Sequence, residues 1–254
     1  MKLHIFTLAL DAMPFLPQQL AIFEQLKIPF HWHICEGVAD NVLDTDWVAK
    51  IPPRFSRDGT SEFINTLLDH PRVTIHRRQL WHGKVQMVNA ALSKITEPCV
   101  LMQIDADELW QPWQLEKIVS LFETTDYDSM RFFCRFFLGK DIVAMGENCY
   151  GAQNGEWHRA FRFKPGMVAL KHEPPQFENL GRNCMSREQT RGHGLVFDHR
   201  AYSLRSQVEF KEKYYLYKDA VAQWERLQAN TEWPVKNLKE FLPWVGEGVG
   251  ADKL

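Results

Sequence analysis

Residues 99–110, CVLMQIDADELW, constrain the fold of this 254-residue chain more than any other stretch. A mostly apolar run, Cys99 to Ile104, is bounded by Pro98 and stops at two carboxylates, Asp105 and Asp107, with Glu108 beside them. A run so short and so apolar reads as a buried strand. In an open α/β sheet, ligands bind in the crevice beyond the carboxyl ends of the strands. An Asp-x-Asp there brings hard oxygen donors to one point, where they can hold Mg²⁺ or Mn²⁺ bridging a diphosphate. Taken alone, the same acids also read as a solvated turn at the end of a strand, and the flanking sequence has to decide.

That flank has a regular rhythm. Leu3 to Leu10 reads as a strand, and Pro14 to Lys27 as an amphipathic helix with Leu16, Leu20, Phe23 and Leu26 at helical spacing. Phe30 to Glu36 is a second strand, followed by a polar loop carrying Asp40, Asn41, Asp44 and Asp46. Thr60 to Leu68 predicts a short helix, Arg72 to His76 a short strand, and Gly83 to Ile95 a helix that leads into the strand ending at Asp105. Strands alternating with helices predict a parallel sheet covered by helices. Right-handed crossovers then bring residues 8–12, 36–41 and 105–108 to one rim.

The second half is more mixed. Pro112 to Phe122 reads as a helix and Met130 to Leu138 as one strongly apolar strand. Residues 139–155 read as an irregular loop, with strands at Trp157 to Phe163 and Met167 to Leu170. Arg182 to Gly194 is polar and glycine-bearing, a mobile-loop composition. Leu195 to Asp198 reads as a last short strand, and Ser203 to Leu227 as one long helix capped by Ser203. The division expected is one domain over residues 1–230, with a nucleotide-binding half (1–110) and an acceptor half (111–230), then a C-terminal tail over 231–254.

Composition narrows the function. A formal net charge of −2 gives no electrostatic case for nucleic acid binding. The five cysteines are scattered without a Cys-x-x-Cys pair, which points to reduced thiols in a cytoplasmic compartment and away from structural zinc. No segment reads as a signal peptide or a transmembrane span. Nine tryptophans offer ring faces that suit sugar C–H surfaces, although buried indoles serve core packing as well.

HIFTLAL, ICEGVAD, GKVQMVNAAL, QIDADELW and FDHRAYSLRSQVEFKEKYYLY, in this order, resemble the GT-A fold glycosyltransferases, in particular the family 2-like enzymes. The resemblance covers roughly Leu3 to Trp224 and is better in the first half. It implies a Rossmann-like, mostly parallel sheet flanked by helices, with a mixed acceptor-side half and a long C-terminal helix. It implies an enzyme that transfers a sugar from a nucleotide-sugar donor, a UDP-sugar, to a carbohydrate or other hydroxyl acceptor, with a divalent metal as cofactor. The chain departs from the pattern twice: Glu36 stands where many relatives carry an aspartate pair, and no Glu-Asp dipeptide follows the Asp-x-Asp at the usual place.

The resemblance makes Asp107 the direct metal ligand, with Asp105 near the ribose or reaching the metal through water, and His199 as a ligand from the second half. His199 reads equally as a backbone-bonded, partly buried histidine. Glu36 and Asp40 lie at the rim where uracil and ribose bind in similar enzymes. Lys84, a cation at a helix start where anions are the favoured charge, is a candidate for the base or a phosphate. Arg187 and Arg191 are candidate phosphate clamps or simply a solvated loop. An inverting transfer needs a carboxylate to take the acceptor's proton. Glu173, fixed by Pro174 and Pro175, comes first, Glu156 second and Asp198 third, with Trp157 and His158 lining the acceptor pocket and Trp110 as a stacking platform. Three other readings compete: a nucleotidyltransferase, whose Gly- and Arg-rich loop LALDAMPFLPQ lacks; an Asp-x-Asp phosphatase; and a non-catalytic sugar- or nucleotide-binding scaffold of the same fold.

Overall fold

The computed structural model describes residues 1–40, 51–145, 157–243 and 245–254. The chain opens with strand β1 (Leu3–Ala9), helix α1 (Phe15–Phe23), β2 (Phe30–Ala39), α2 (Thr60–Asn65), β3 (Val73–Trp81), α3 (Gly83–Leu92) and β4 (Cys99–Gln103). β1, β2, β3 and β4 form a parallel sheet, with β1 between β2 and β4. β4 is buried throughout and β1 at every position but Leu8, which is why they read as apolar runs and not as alternating patterns. β3 runs five residues beyond the expected His76, because its register with β2 continues to Ala39 and Trp81 past a bulge at Gly37. Gly37 has φ +136°, and a Cβ there would lie 1.7 Å from the Arg78 carbonyl oxygen, so only glycine fits.

The second half continues with β5 (Glu108–Leu109), α4 (Pro112–Thr124), β6 (Ser129–Arg131), β7 (Phe133–Phe136), β8 (Ile142–Met145) and β9 (His158–Phe163). The apolar run 130–138 is therefore not one strand. It changes sheets at the buried Phe132: β6 joins the main sheet beside β9, and β7 pairs with β13 (Val196–His199). With β12 (Cys184–Met185) at its edge, the main sheet has the order β12-β6-β9-β4-β1-β2-β3, with β9 antiparallel to both neighbours. The remaining elements are a hairpin of β10 (Ala169–His172) and β11 (Pro175–Phe177), then β12 (Cys184–Met185), α5 (Arg187–Gly192) and β13 (Val196–His199). The polar segment expected as a loop thus contributes β12 and the capped helix α5.

The expected long helix is two helices, α6 (Arg205–Tyr214) and α7 (Ala220–Gln228). The break falls where Tyr214 donates its hydroxyl hydrogen to the Ala39 carbonyl oxygen, and Leu216 and Asp219 turn with φ of 58° and 55°. Leu204, not Ser203, precedes the first turn of α6. The segment expected as a tail forms a 3₁₀ turn (Leu238–Glu240) and β14 (Gly250–Lys253), which pairs with β8 inside the region expected as loop. Its Val235, Leu238, Leu242 and Ala251 are buried in the same core as α1 and α4. A second core lies on the other face, between α3 and the strands carrying Phe6, Cys35, Leu101 and Phe161.

Four imidazoles share that second face near the amino ends of the strands. His4 Nδ1 lies 3.0 Å from His33 Nε2, His33 Nδ1 lies 3.5 Å from His76 Nε2, and the His31 and His33 rings stand 4.9 Å apart. No helix among the described residues is long and apolar enough to cross a membrane.

Candidate active site

The carboxyl ends of β1, β2 and β4 open into a cavity of about 340 Å³, walled on its other side by α6 and the turn after it. Its lining includes Asp11, Lys84, Asp105, Asp107, Trp157, Arg159, Glu173, His199 and Lys211. The structure therefore brings together Asp105, Asp107, Lys84, His199 and Glu173, which the sequence singled out.

The Asp-x-Asp loop is held by its backbone. Gln19 of α1, itself buried, donates to the carbonyl oxygens of Asp105, Ala106 and Glu108 at 2.7, 3.1 and 3.0 Å. The Arg200 amide donates to the Asp107 carbonyl oxygen at 2.7 Å. β5 and β13 pair with Glu108 opposite His199, so the His199 ring arrives beside the loop. Its Nε2 stands 3.3 Å from Asp107 Oδ1, and the ring packs edge-on against Trp157 at 4.6 Å. Lys211 of α6 approaches the other oxygen, Asp107 Oδ2, at 4.0 Å. Burial pushes the Asp107 carboxyl up, but His199 and then Lys211 outweigh it and hold the group well below the usual carboxylate range.

Arg159 on β9 is the hub of the other carboxylates. It is 1% exposed; its Nε donates to Glu108 Oε1 at 2.9 Å, one terminal nitrogen lies 3.0 Å from Asp105 Oδ2, and the other lies 3.9 Å from Glu173 Oε1. Burial raises the Asp105 carboxyl, yet Arg159, His172 and Lys84 together bring it below its ordinary value. Glu108 is raised well above its own by burial, while Arg159 stays firmly protonated among its acids. His172, buried beside Gln103, is pushed down to about 3 by burial and by Lys84, so it is neutral near pH 7. Lys84 is held in its ammonium form by Tyr215, Asp105, Tyr214 and Glu173, which overcome its own burial.

Other expected residues lie elsewhere. Glu36 is fully buried and faces away from the cavity: Arg77 Nε lies 2.7 Å from Oε2, while the Ser56 amide, at 3.1 Å, and the Ser61 hydroxyl donate to Oε1. Asp40 pairs with His82 at 3.0 Å outside the lining. Arg191 and Arg187 lie over the Phe133 ring, at 4.5 and 4.9 Å, on α5. Asp198 is engaged by Arg135 at 2.6 Å and by Arg200 at 3.3 Å. Trp110 is 1% exposed and stacked on Phe197 at 4.6 Å, a core residue and not a platform. His158 is buried near Cys184, whereas Trp157 does line the cavity. Glu156 lies outside the described residues. Arg159, Lys211, His172 and Gln19 were not anticipated. Arg159, directly before Ala160 and Phe161 in an otherwise largely apolar strand, was the available signal for the first of them.

For a divalent ion, the donors that meet at one point are a carboxylate and an imidazole, Asp107 and His199; the carboxylate suits Mn²⁺ or Mg²⁺, and the imidazole suits Mn²⁺ less well. Asp105 has both oxygens engaged, by Gln103 at 3.1 Å and by Arg159. Among the described residues no cluster of three or more His, Cys, Asp or Glu is arranged around one ion. Asp107 and His199 are thus the two side chains that could share an ion, whose other positions would fall to phosphate and water oxygens.

The site therefore sits at the end of β4, the central strand of a seven-stranded, mostly parallel sheet, with Asp-x-Asp just beyond it. Residues 54–143, which include Lys84, Asp105 and Asp107, match the family model described as glycosyl transferase family 2. No curated protein matches the chain. Among solved structures it is similar to S. aureus TarS 1-349, at 10% identity over 64% of this chain and 47% of that one, with a TM-score of 0.43. S. aureus TarS 1-349 in complex with UDP-GlcNAc matches at 11% identity over 54% of this chain and 35% of that one, TM-score 0.40. A mycobacterial protein matches at 15% identity over 54% and 42%, TM-score 0.36. The chain spans less than half the length of each of these three.

Proposed function

We propose that this chain is a metal-dependent, inverting glycosyltransferase that moves a sugar from a UDP-sugar to a hydroxyl acceptor. The observation that carries this reading is the convergence of Asp107 and His199, 3.3 Å apart, with Asp105, Lys84 and Glu173 on one cavity. Asp107 and His199 would hold Mn²⁺ or Mg²⁺, which supplies Lewis-acid stabilisation to a departing diphosphate. Lys84 adds a fixed positive charge on the donor side, and Asp105 offers a carboxylate to the ribose. Arg159 keeps Asp105 ionised and oriented.

In the transfer, the acceptor oxygen bonds to the anomeric carbon as the bond from that carbon to the diphosphate oxygen breaks. The electron pair leaves with the diphosphate, and the acceptor's proton goes to a carboxylate on the opposite side. Glu173 is that base in our reading, seated beside Arg159 and neutral His172. Trp157, largely buried, gives the cavity an apolar wall on the acceptor side. Cys35 and Cys99 are buried free thiols, which supports a reducing, cytoplasmic setting.

The test is release of free UDP from a panel of UDP-sugars, with and without Mn²⁺, beside a generic phosphate monoester. Metal-dependent UDP release supports the transferase. Hydrolysis of the monoester alone favours the phosphatase, and no turnover of either favours a binding scaffold.

A further inference from the structure

The hairpin of β10 and β11 turns through Glu173 and Pro174, because His172 pairs with Pro175. Asn89 of α3 pins the strand that leads into the turn. Its side chain donates to the Ala169 carbonyl oxygen at 3.0 Å and accepts from the Ala169 amide at 2.8 Å. His172 and Glu173 thus reach the cavity from a fixed support. His172 is 4% exposed, and Gln103, the last residue of β4, lies beside it. One hydrogen of the Gln103 amide goes to Asp105 Oδ1, 3.1 Å from the nitrogen. The amide cannot be reversed, because its oxygen would then face that carboxylate oxygen. The same nitrogen lies 3.3 Å from His172 Nε2. An amide nitrogen only donates, so Nε2 accepts, and the ring carries its hydrogen on Nδ1.

That Nδ1 has no hydrogen-bond partner among the described residues, and it lies 3.8 Å from Glu173 Oε2. Arg159 approaches the other oxygen, Glu173 Oε1, at 3.9 Å. The carboxylate therefore stands between a cation and a neutral N–H, one toward each oxygen. The difference matters for a base. A second cation in the place of His172 would hold the carboxylate ionised at the expense of its basicity, whereas a neutral N–H orients it at a smaller cost. We infer that His172, locked in one tautomer by Gln103, is a positioning residue that aims the Glu173 carboxylate at the acceptor oxygen. This rests on the reading of Glu173 as the base. A movement of about 1 Å brings Oε2 within hydrogen-bond range of Nδ1. In the transfer the acceptor's proton passes to Glu173, and the His172 ring keeps its own throughout.

Two measurements on the full chain test this. The first is nitrogen–proton correlation NMR of the imidazoles at neutral pH, with the His172 signal assigned from its loss in His172→Asn. Wild type should show the hydrogen on Nδ1, and Gln103→Leu should release the ring to a mixture of tautomers. A hydrogen on Nε2 in wild type, or an unchanged tautomer in Gln103→Leu, overturns the inference. The second compares His172→Asn, whose amide nitrogen takes the place of Nδ1, with His172→Gln, which reaches only the place of Nε2. The readout is UDP release, with Mn²⁺ and water as acceptor, from a UDP-sugar that wild type turns over. In His172→Gln, kcat should fall by about 10²-fold, the cost of misplacing a reacting group by about 1 Å, at unchanged KM for the donor. His172→Asn should recover most of that loss. An undiminished kcat in His172→Gln overturns the inference, as does an Asn variant no better than the Gln variant. So does a loss of UDP affinity that accounts for the slower turnover, which is what a merely structural histidine would give. Failure of the underlying reading shows separately. Glu173→Gln would turn over as wild type does, or wild type would release no UDP from any UDP-sugar, and the inference would fall with it.

Discussion

Arg159→Met removes the guanidinium at the centre of the site while keeping most of the apolar stem. Three carboxylates lose a cation, but they are not equally exposed. Asp105 and Glu173, 26% and 24% exposed, can turn to water, whereas Glu108 is 0% exposed and cannot. The cost is therefore that of one stranded buried charge. Removing one partner of such a pair costs about 3–5 kcal/mol. At about 2–4 °C per kcal/mol for a chain of this size, Tm should fall by roughly 6–20 °C. Glu108→Gln in the same background removes the stranded charge and should restore more than half of the loss, a coupling that a double-mutant cycle measures. The deficit should also shrink as pH falls. Burial already holds the Glu108 carboxyl above its ordinary value, so without Arg159 the native state takes up a proton more readily than the unfolded chain does. Thermal melts of the four proteins at two pH values suffice. A Tm for Arg159→Met within about 2 °C of wild type, or a double variant no better than the single one, would refute the reasoning.

Glu173→Gln should bind UDP with Mn²⁺ as wild type does while transfer falls by about 10²–10⁴-fold, the usual contribution of a positioned base; undiminished transfer would remove Glu173 from that role. Glu36→Gln should lose about 1–3 kcal/mol of stability through its bonds to Arg77, Ser56 and Ser61. Its UDP affinity should stay within about threefold of wild type, because the side chain does not face the cavity; a tenfold loss at unchanged stability would make it a ligand. The histidine cluster predicts acid lability. Burial and mutual repulsion lower His4 and His76 to about 4 and His33 to about 2, from an ordinary 6.5. The unfolded chain therefore binds more protons below pH 6.5, and the stability present above that value is lost as pH falls toward about 4. Denaturant midpoints across that range should decline, and His4→Asn with His76→Asn should flatten the decline.

The first half was legible because its signals are local. β4 is a buried run that ends in acids, α3 has helical spacing, and the rim formed by residues 8–12, 37–39 and 105–107 follows from chain direction and crossover hand. What escaped depends on partners distant in sequence. Glu36 looks like a rim acid until Arg77 and the 56–61 turn close on it. Met130 to Leu138 is apolar throughout, so nothing local marks Phe132 as the point where the chain changes sheets. The break after Tyr214 is set by a tyrosine hydroxyl reaching Ala39 and by left-handed Leu216, a conformation that leucine does not announce. Lys211 reads as a surface lysine in FKEKYY until α6 folds over the Asp-x-Asp loop.

In the proposed function this cavity holds a nucleotide diphosphate through a metal at Asp107. Calorimetric titration with UDP, and with GDP for comparison, in Mn²⁺ and in EDTA, on wild type and Asp107→Ala, tests it most directly. UDP binding should require Mn²⁺ and disappear in Asp107→Ala. UDP affinity unchanged by EDTA or by the substitution would take the metal and Asp107 out of the site, and no binding of either nucleotide would contradict the glycosyltransferase itself.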